Sequence, residues 1–87
     1  RLEGEVTWGP WTLSSPLRGL EVRARRTGDR LAGRRKKVQD LLVDAKVPLA
    51  QRDGWPIVVR GAEVVAVPGI AAAPGYEHAV TARRDGE

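Results

Sequence analysis

Eighty-seven residues with 15 basic and 11 acidic side chains carry a formal net charge of +4, and a chain of this length has room for one hydrophobic core. There is no cysteine and a single histidine, His78, which excludes disulfides, thiolate metal sites and a histidine zinc cluster. No apolar run nears the roughly twenty residues a membrane helix needs and no signal-peptide pattern opens the chain, so a cytoplasmic protein without a membrane partner is expected.

From the start, residues 1 to 26 read as extended. Val6 and Trp8 alternate with Glu5 and Thr7, Gly9-Pro10 signals a turn, and Trp11 with Leu13 suggests a second short strand. After Ser14-Ser15-Pro16, the run from Leu20 to Arg25 alternates strictly. Leu20, Val22 and Ala24 are expected to face inward, leaving Arg23 and Arg25 side by side on an exposed face.

Charge is concentrated here. Arg18 to Lys37 holds nine basic side chains (Arg18, Arg23, Arg25, Arg26, Arg30, Arg34, Arg35, Lys36, Lys37) against Glu21 and Asp29, a net of +7. The remaining sequence holds six basic and nine acidic residues, a net of −3. A basic patch on a slightly acidic body favours a polyanionic partner.

Thr27 to Arg30 reads as a loop, and Gly33 interrupts the chain again. Val38, Leu41, Leu42 and Ala45 then recur at helical spacing, predicting a helix from about Arg35 to Lys46 that stops before Pro48. Arg34 to Lys37 would crowd its N-terminus, where the macrodipole prefers anions, and Asp40, four residues from Lys36, and Asp44 offset part of that cost. An external phosphate would make sense of those cations. A merely solvated turn remains the alternative.

Pro48 to Asp53 reads as a short second helix ended by Gly54. Ile57-Val58-Val59 and Val64 to Val67 form a predicted hairpin around Arg60 to Glu63, and Pro68-Gly69 closes it. Tyr76 to Arg83 suggests a last strand, with Arg84 to Glu87 as a frayed tail. Core candidates are Trp8, Trp11, Leu20, Val22, Leu41, Leu42, Ile57, Val59 and Val65; Trp55, before Pro56, reads as core or core-edge, with a flat face for a base or ribose as the alternative. The order of elements argues for an α+β domain over 1–87 with a mixed or antiparallel sheet, read as a piece of a longer protein that begins with Arg rather than Met.

Catalytic chemistry is not found. His78 has no neighbouring nucleophile, and the carboxylates are scattered singly. Gly28-Asp29-Arg30-Leu31-Ala32-Gly33-Arg34-Arg35 has the glycine spacing of a P-loop but lacks its Lys-Ser/Thr pair, so a nucleotidase reading fails. The expectation for this stretch of chain is no catalytic residue, no metal and no cofactor of its own.

One ordered set of residues resembles a family. Val22 to Arg30, Lys36-Lys37 opening a helix, Lys46-Val47-Pro48, Arg52-Asp53, Pro56 and Val65-Ala66-Val67-Pro68-Gly69 together look like the C-terminal domain of bacterial tRNA(Ile)-lysidine synthetase. The likeness covers about Leu20 to Tyr76.

It implies a compact small β-sandwich or mixed sheet with one main helix and a short second one, similar to a module of the phenylalanyl-tRNA synthetase β chain. It implies a cytoplasmic parent ligase that attaches lysine to the wobble cytidine of isoleucine tRNA. That chemistry belongs to an N-terminal PP-loop domain using ATP and magnesium. The C-terminal domain would hold the tRNA acceptor stem.

By motif position, Arg23, Arg25, Arg30, Lys36, Lys37 and Arg52 are the candidates for tRNA contact, and Arg26, Arg34 and Arg35 of the same basic run are candidates beside them. Gly28, Asp29 and Gly33 would shape the loop, with Asp29 a partner for a neighbouring arginine. Clustered cations with few aromatics also suit a duplex by elementary chemistry, because stems are bound by shape and backbone. Two other readings stay open: a generic basic nucleic-acid module, and a structural or homodimerisation domain with a solvated basic face.

Overall fold

The computed structural model describes residues 2, 4–34 and 36–85. Its chain order is β1 (Gly4–Trp8), β2 (Trp11–Ser15), β3 (Leu20–Arg23), α1 (Val38–Asp44), α2 (Leu49–Arg52), β4 (Ile57–Arg60), β5 (Glu63–Val67), β6 (Ala71–Ala72) and β7 (Thr81–Arg84). Two antiparallel sheets result, ordered β1-β2-β7 and β3-β4-β5-β6. The expected α+β architecture of small sheets with a main and a minor helix is what the chain forms.

Two of the hairpins lie where turn chemistry put them. Gly9-Pro10 joins β1 to β2 with Trp8 opposite Trp11, and Gly61 at φ +60° opens the two-residue loop between Arg60 and Glu63. β4 and β5 are the inner strands of their sheet, and Ile57 to Val59 and Val64 to Val67 are all buried. That explains why these runs are continuously apolar rather than alternating. β2 alternates instead, burying Trp11, Leu13 and Ser15.

One core cluster joins the sheets and α1. Trp11, Leu20, Leu42, Ile57, Val59 and Val65 are in it as expected, and Trp8, Val22 and Leu41 pack against its edge. Trp55 is core: its ring meets Trp11 edge-on at 4.8 Å between centroids, and its N–H donates to Pro68 O at 3.0 Å. Leu2, Leu13, Leu31, Val38 and Val47 are core residues beyond the expected set.

Boundaries differ in four places. β3 stops at Arg23, so Ala24 is exposed rather than inward. α1 starts at Val38, because residues 36–38 are already engaged: Lys36 O accepts from Leu31 N and Val38 N donates to Asp29 O. Ala45 falls beyond its last turn and is exposed, while Val47 takes the buried place. Tyr76 to Ala79 is turn, so β7 begins only at Thr81 and includes Arg84, which is no tail.

Candidate nucleic-acid interface

The basic segment folds into a small ladder of its own. Arg26 to Asp29 is a turn closed by Asp29 N donating to Arg26 O, with Gly28 at φ +88° in its third position, where a type II turn needs a positive φ. Residues 29–31 then pair antiparallel with 36–38 through Arg30 and Lys37. A second such turn, Leu31 to Arg34, has Gly33 at φ +76° in the same position. Leu31 is buried and bridges Val64 of β5, which fixes the ladder to the sheet.

Alternation places the cations. Leu31 points into the core, so its neighbour Arg30 and the residue opposite, Lys37, stand exposed on the other side. Arg26 and Arg34 are exposed on the turns at the ends. The ladder therefore carries Arg26, Arg30, Arg34 and Lys37 outward on one short stretch of backbone. Among the described residues, the side chains of Arg26, Arg34 and Lys37 form no ion pair.

Arg23, Arg25, Lys36 and Arg52 are instead engaged within the chain. Arg23 donates from Nη1 to Asp29 Oδ2 at 2.8 Å and from Nη2 to Asp29 Oδ1 at 2.9 Å, and Asp29 Oδ2 also accepts from Arg26 N at 2.7 Å. Both side chains of the pair are largely covered, 21% and 12% exposed. The bond from Arg23 holds the Asp29 carboxyl below its usual range, and the same bond raises the Arg23 guanidinium above its own. Asp29 is thus the brace of the loop, and the partner expected for it is Arg23.

Arg25 Nη2 donates to Asp53 Oδ1 at 2.8 Å. Arg23 and Arg25 are therefore not two free neighbours on an open strand face: each is half-buried and clasped by a carboxylate. Lys36 Nζ meets Asp44 Oδ2 at 2.5 Å, which raises the lysine above its usual value, and not Asp40 as helical spacing suggested. Lys36 lies on extended backbone before the helix, so the i, i+4 rule does not reach it.

Lys37 is the residue that caps α1, with extended φ and ψ of −69° and 139° and no side-chain cap bond. The cations thus precede a helix of seven residues instead of crowding its first turn, and the helix-end phosphate reading is replaced by a basic ladder. Arg52 Nε donates to Val47 O at 2.9 Å, which ties α2 to the end of α1. Arg18 sits apart, exposed in the β2–β3 connection. The Arg35 expectation lies outside the described residues.

Three features were missed in the sequence. Lys46 has φ +60°, and the amides after α1 close a Schellman pattern, Lys46 N to Val43 O and Val47 N to Leu42 O. Arg60 Nη1 donates to the Tyr76 hydroxyl at 2.9 Å. Arg84 lies 5.8 Å from the Trp11 ring and 5.6 Å from the Trp55 ring, and bonds Gln51. A Gly in place of Lys46 would have announced the first; nothing local announces the others.

No group of three or more metal-ligating side chains occurs among the described residues, and no helix there is long and apolar enough to cross a membrane. What the surface can do is bind anions on a fixed backbone.

A family model described as the TilS substrate C-terminal domain matches residues 20–84. A tRNA(Ile)-lysidine synthase of Symbiobacterium thermophilum is 62% identical over 55 residues, covering 59% of this chain and 11% of that protein. Those of Bacillus subtilis and Geobacillus kaustophilus are each 41% identical, over 59% and 70% of this chain and 12% and 14% of theirs. The chain thus spans little more than a tenth of the length of these curated relatives. A solved structure, "Crystal structure of TILS C-terminal domain", superimposes with a TM-score of 0.64 at 27% identity, over 97% of this chain and 77% of that one.

Proposed function

Because the chain belongs to the TilS substrate C-terminal domain family, we propose that it holds the acceptor stem of isoleucine tRNA for a parent tRNA(Ile)-lysidine synthase. In that parent a separate N-terminal PP-loop domain, in the cytoplasm, would ligate lysine to the wobble cytidine with ATP and magnesium. The observation that carries the reading is the ladder of residues 29–31 and 36–38, which turns Arg26, Arg30, Arg34 and Lys37 outward on pinned backbone.

The chemistry suits a duplex. An RNA stem offers phosphate rails and 2′-hydroxyls across a wide, shallow minor groove, and fixed cations track those rails without entering the stack. Residues 26–38, which make the ladder and its turns, include no aromatic residue, so there is no platform there for splayed single-stranded bases. Arg26, Arg34 and Lys37 take phosphates directly, with Arg30 beside them. Arg23 acts through Asp29, holding the turn that presents Arg26. Lys36 and Arg52 flank the surface.

The test is binding of the chain to an RNA hairpin with the acceptor stem of isoleucine tRNA, titrated against salt. With about four phosphates neutralised, log affinity should fall against log salt with a slope near −3 to −4. A flat titration sinks the reading. Equal competition by a DNA duplex of the same length would replace it with a generic basic module.

A further inference from the structure

The two clasped arginines differ in how they are held. Arg23 meets Asp29 with both terminal nitrogens, and that carboxylate is 12% exposed and braced by a backbone amide. Arg25 meets Asp53 with one nitrogen, and that carboxylate is 89% exposed at the end of α2. Meanwhile Arg25 Nε is buried and has no hydrogen-bond partner among the described residues. Of its five donors the guanidinium uses one among the described residues, and leaving a buried N–H unsatisfied works against the docked position.

We propose that Asp53 is a built-in stand-in for a phosphate: it parks Arg25 against α2, and an RNA phosphate displaces it on binding. The inference rests on the RNA-stem reading and adds a specificity-determining residue to it. Asp53 fits this part because it offers the carboxylate oxygen in the geometry that a phosphate oxygen takes with an arginine. Its own side chain is otherwise in water, so releasing it disturbs no packing.

The partner that succeeds is one whose phosphates also meet Arg26, the next residue, and Lys37 of the ladder, so that several contacts offset the lost pair. A lone phosphate at Arg25 gains little over the carboxylate already there. Asp53 thereby sets a threshold against isolated anions and short, flexible polyanions.

The experiment compares the chain with Asp53→Asn, Arg25→Gln, the double variant, and Arg26→Ala/Lys37→Ala, all binding the same fluorescent acceptor-stem hairpin. Asp53→Asn should tighten binding by about three- to tenfold, and Arg25→Gln should weaken it and flatten the salt slope by about one unit. In the double variant the gain from Asp53→Asn should vanish, because there is no arginine left to release. If Asp53→Asn changes nothing, or tightens binding as much without Arg25, the stand-in is overturned while the RNA reading stands. If the unaltered chain and Asp53→Asn both fail to bind, the RNA reading falls and takes this inference with it.

Discussion

Arg23, the last residue of β3, and Asp29, six positions on, meet fork to fork, with Nη1–Oδ2 2.8 Å and Nη2–Oδ1 2.9 Å. Between them runs the tight turn that carries Arg26, so a carboxylate within the most basic part of the chain is what gives that part a shape. Removing one negative charge there would raise the net charge and still weaken the surface.

The stability of this loop should depend on acid. Asp29 has its carboxyl lowered by the bond from Arg23, so the folded state binds that proton less readily than the unfolded one. The stabilisation is fully present above the ordinary carboxylate range, about pH 4, and is lost as pH falls through the lowered folded value. Asp29→Asn should cost about 1–3 kcal/mol at pH 7 and remove this component of the acid dependence. Urea unfolding at pH 7 and pH 3 measures both, and an unchanged acid slope in the variant would contradict the assignment.

Lys46 occupies the left-handed region at φ +60°, where a side chain costs about 1–2 kcal/mol and glycine almost nothing. Glycine also loses more freedom on folding, about 0.5–1 kcal/mol. Lys46→Gly is therefore expected to raise stability by up to about 1 kcal/mol, a rise in melting temperature of about 4–8 °C for a domain this size. A drop in melting temperature would mean that the lysine side chain is held by something other than the turn.

Gly33 is tied to its position twice over. Its φ is +76°, and a Cβ there would lie 3.0 Å from Pro74 Cδ. Gly33→Ala should destabilise by about 1–2 kcal/mol from backbone strain alone and should lower RNA affinity by tilting Arg34. Gly28→Ala is the control, since its Cβ meets nothing within 4 Å and only the φ term remains. Thermal melts of the two variants should rank Gly33→Ala as the worse.

Arg34→Ala and Lys37→Ala should each reduce the salt slope of RNA binding by about one unit with little change in melting temperature, because neither side chain forms an ion pair among the described residues. Arg83, exposed on β7, serves as the comparison. An equal effect from Arg83→Ala would spread the binding surface beyond the ladder.

Trp55→Ala should cost about 3–5 kcal/mol, the range for deleting a large buried ring. Trp55→Phe should cost less, about 1–2 kcal/mol, since the ring volume is partly kept while Pro68 O loses its donor. If both variants melt as the unaltered chain does, Trp55 is not the core residue its contacts describe.

Local chemistry was enough to read part of this molecule from its residues. Gly9-Pro10 and Gly61 mark turns that any chain would take there, and the β-branched runs at 57–59 and 64–67 have few alternatives to a buried hairpin. The start of α1 was not legible in the same way, since Lys36 and Lys37 are adequate helix formers. Only the pairing of residues 36–38 with 29–31 keeps them extended. The basic run announced itself by composition, but its division into outward and clasped cations did not. Asp53 lies 28 residues from Arg25, and no spacing rule connects them. Arg84 looked like part of a tail because its rings, Trp11 and Trp55, are far away in sequence.

Strand β2 sits between β1 and β7, with Leu13 opposite Ala82. Closing that sheet joins positions some seventy residues apart, a long loop to close before any reward from pairing arrives. During synthesis the first hairpin must therefore wait with one edge bare until residue 84 has left the ribosome. Folding of this small domain should accordingly be slow for its size, and an interrupted translation product should expose a sticky strand.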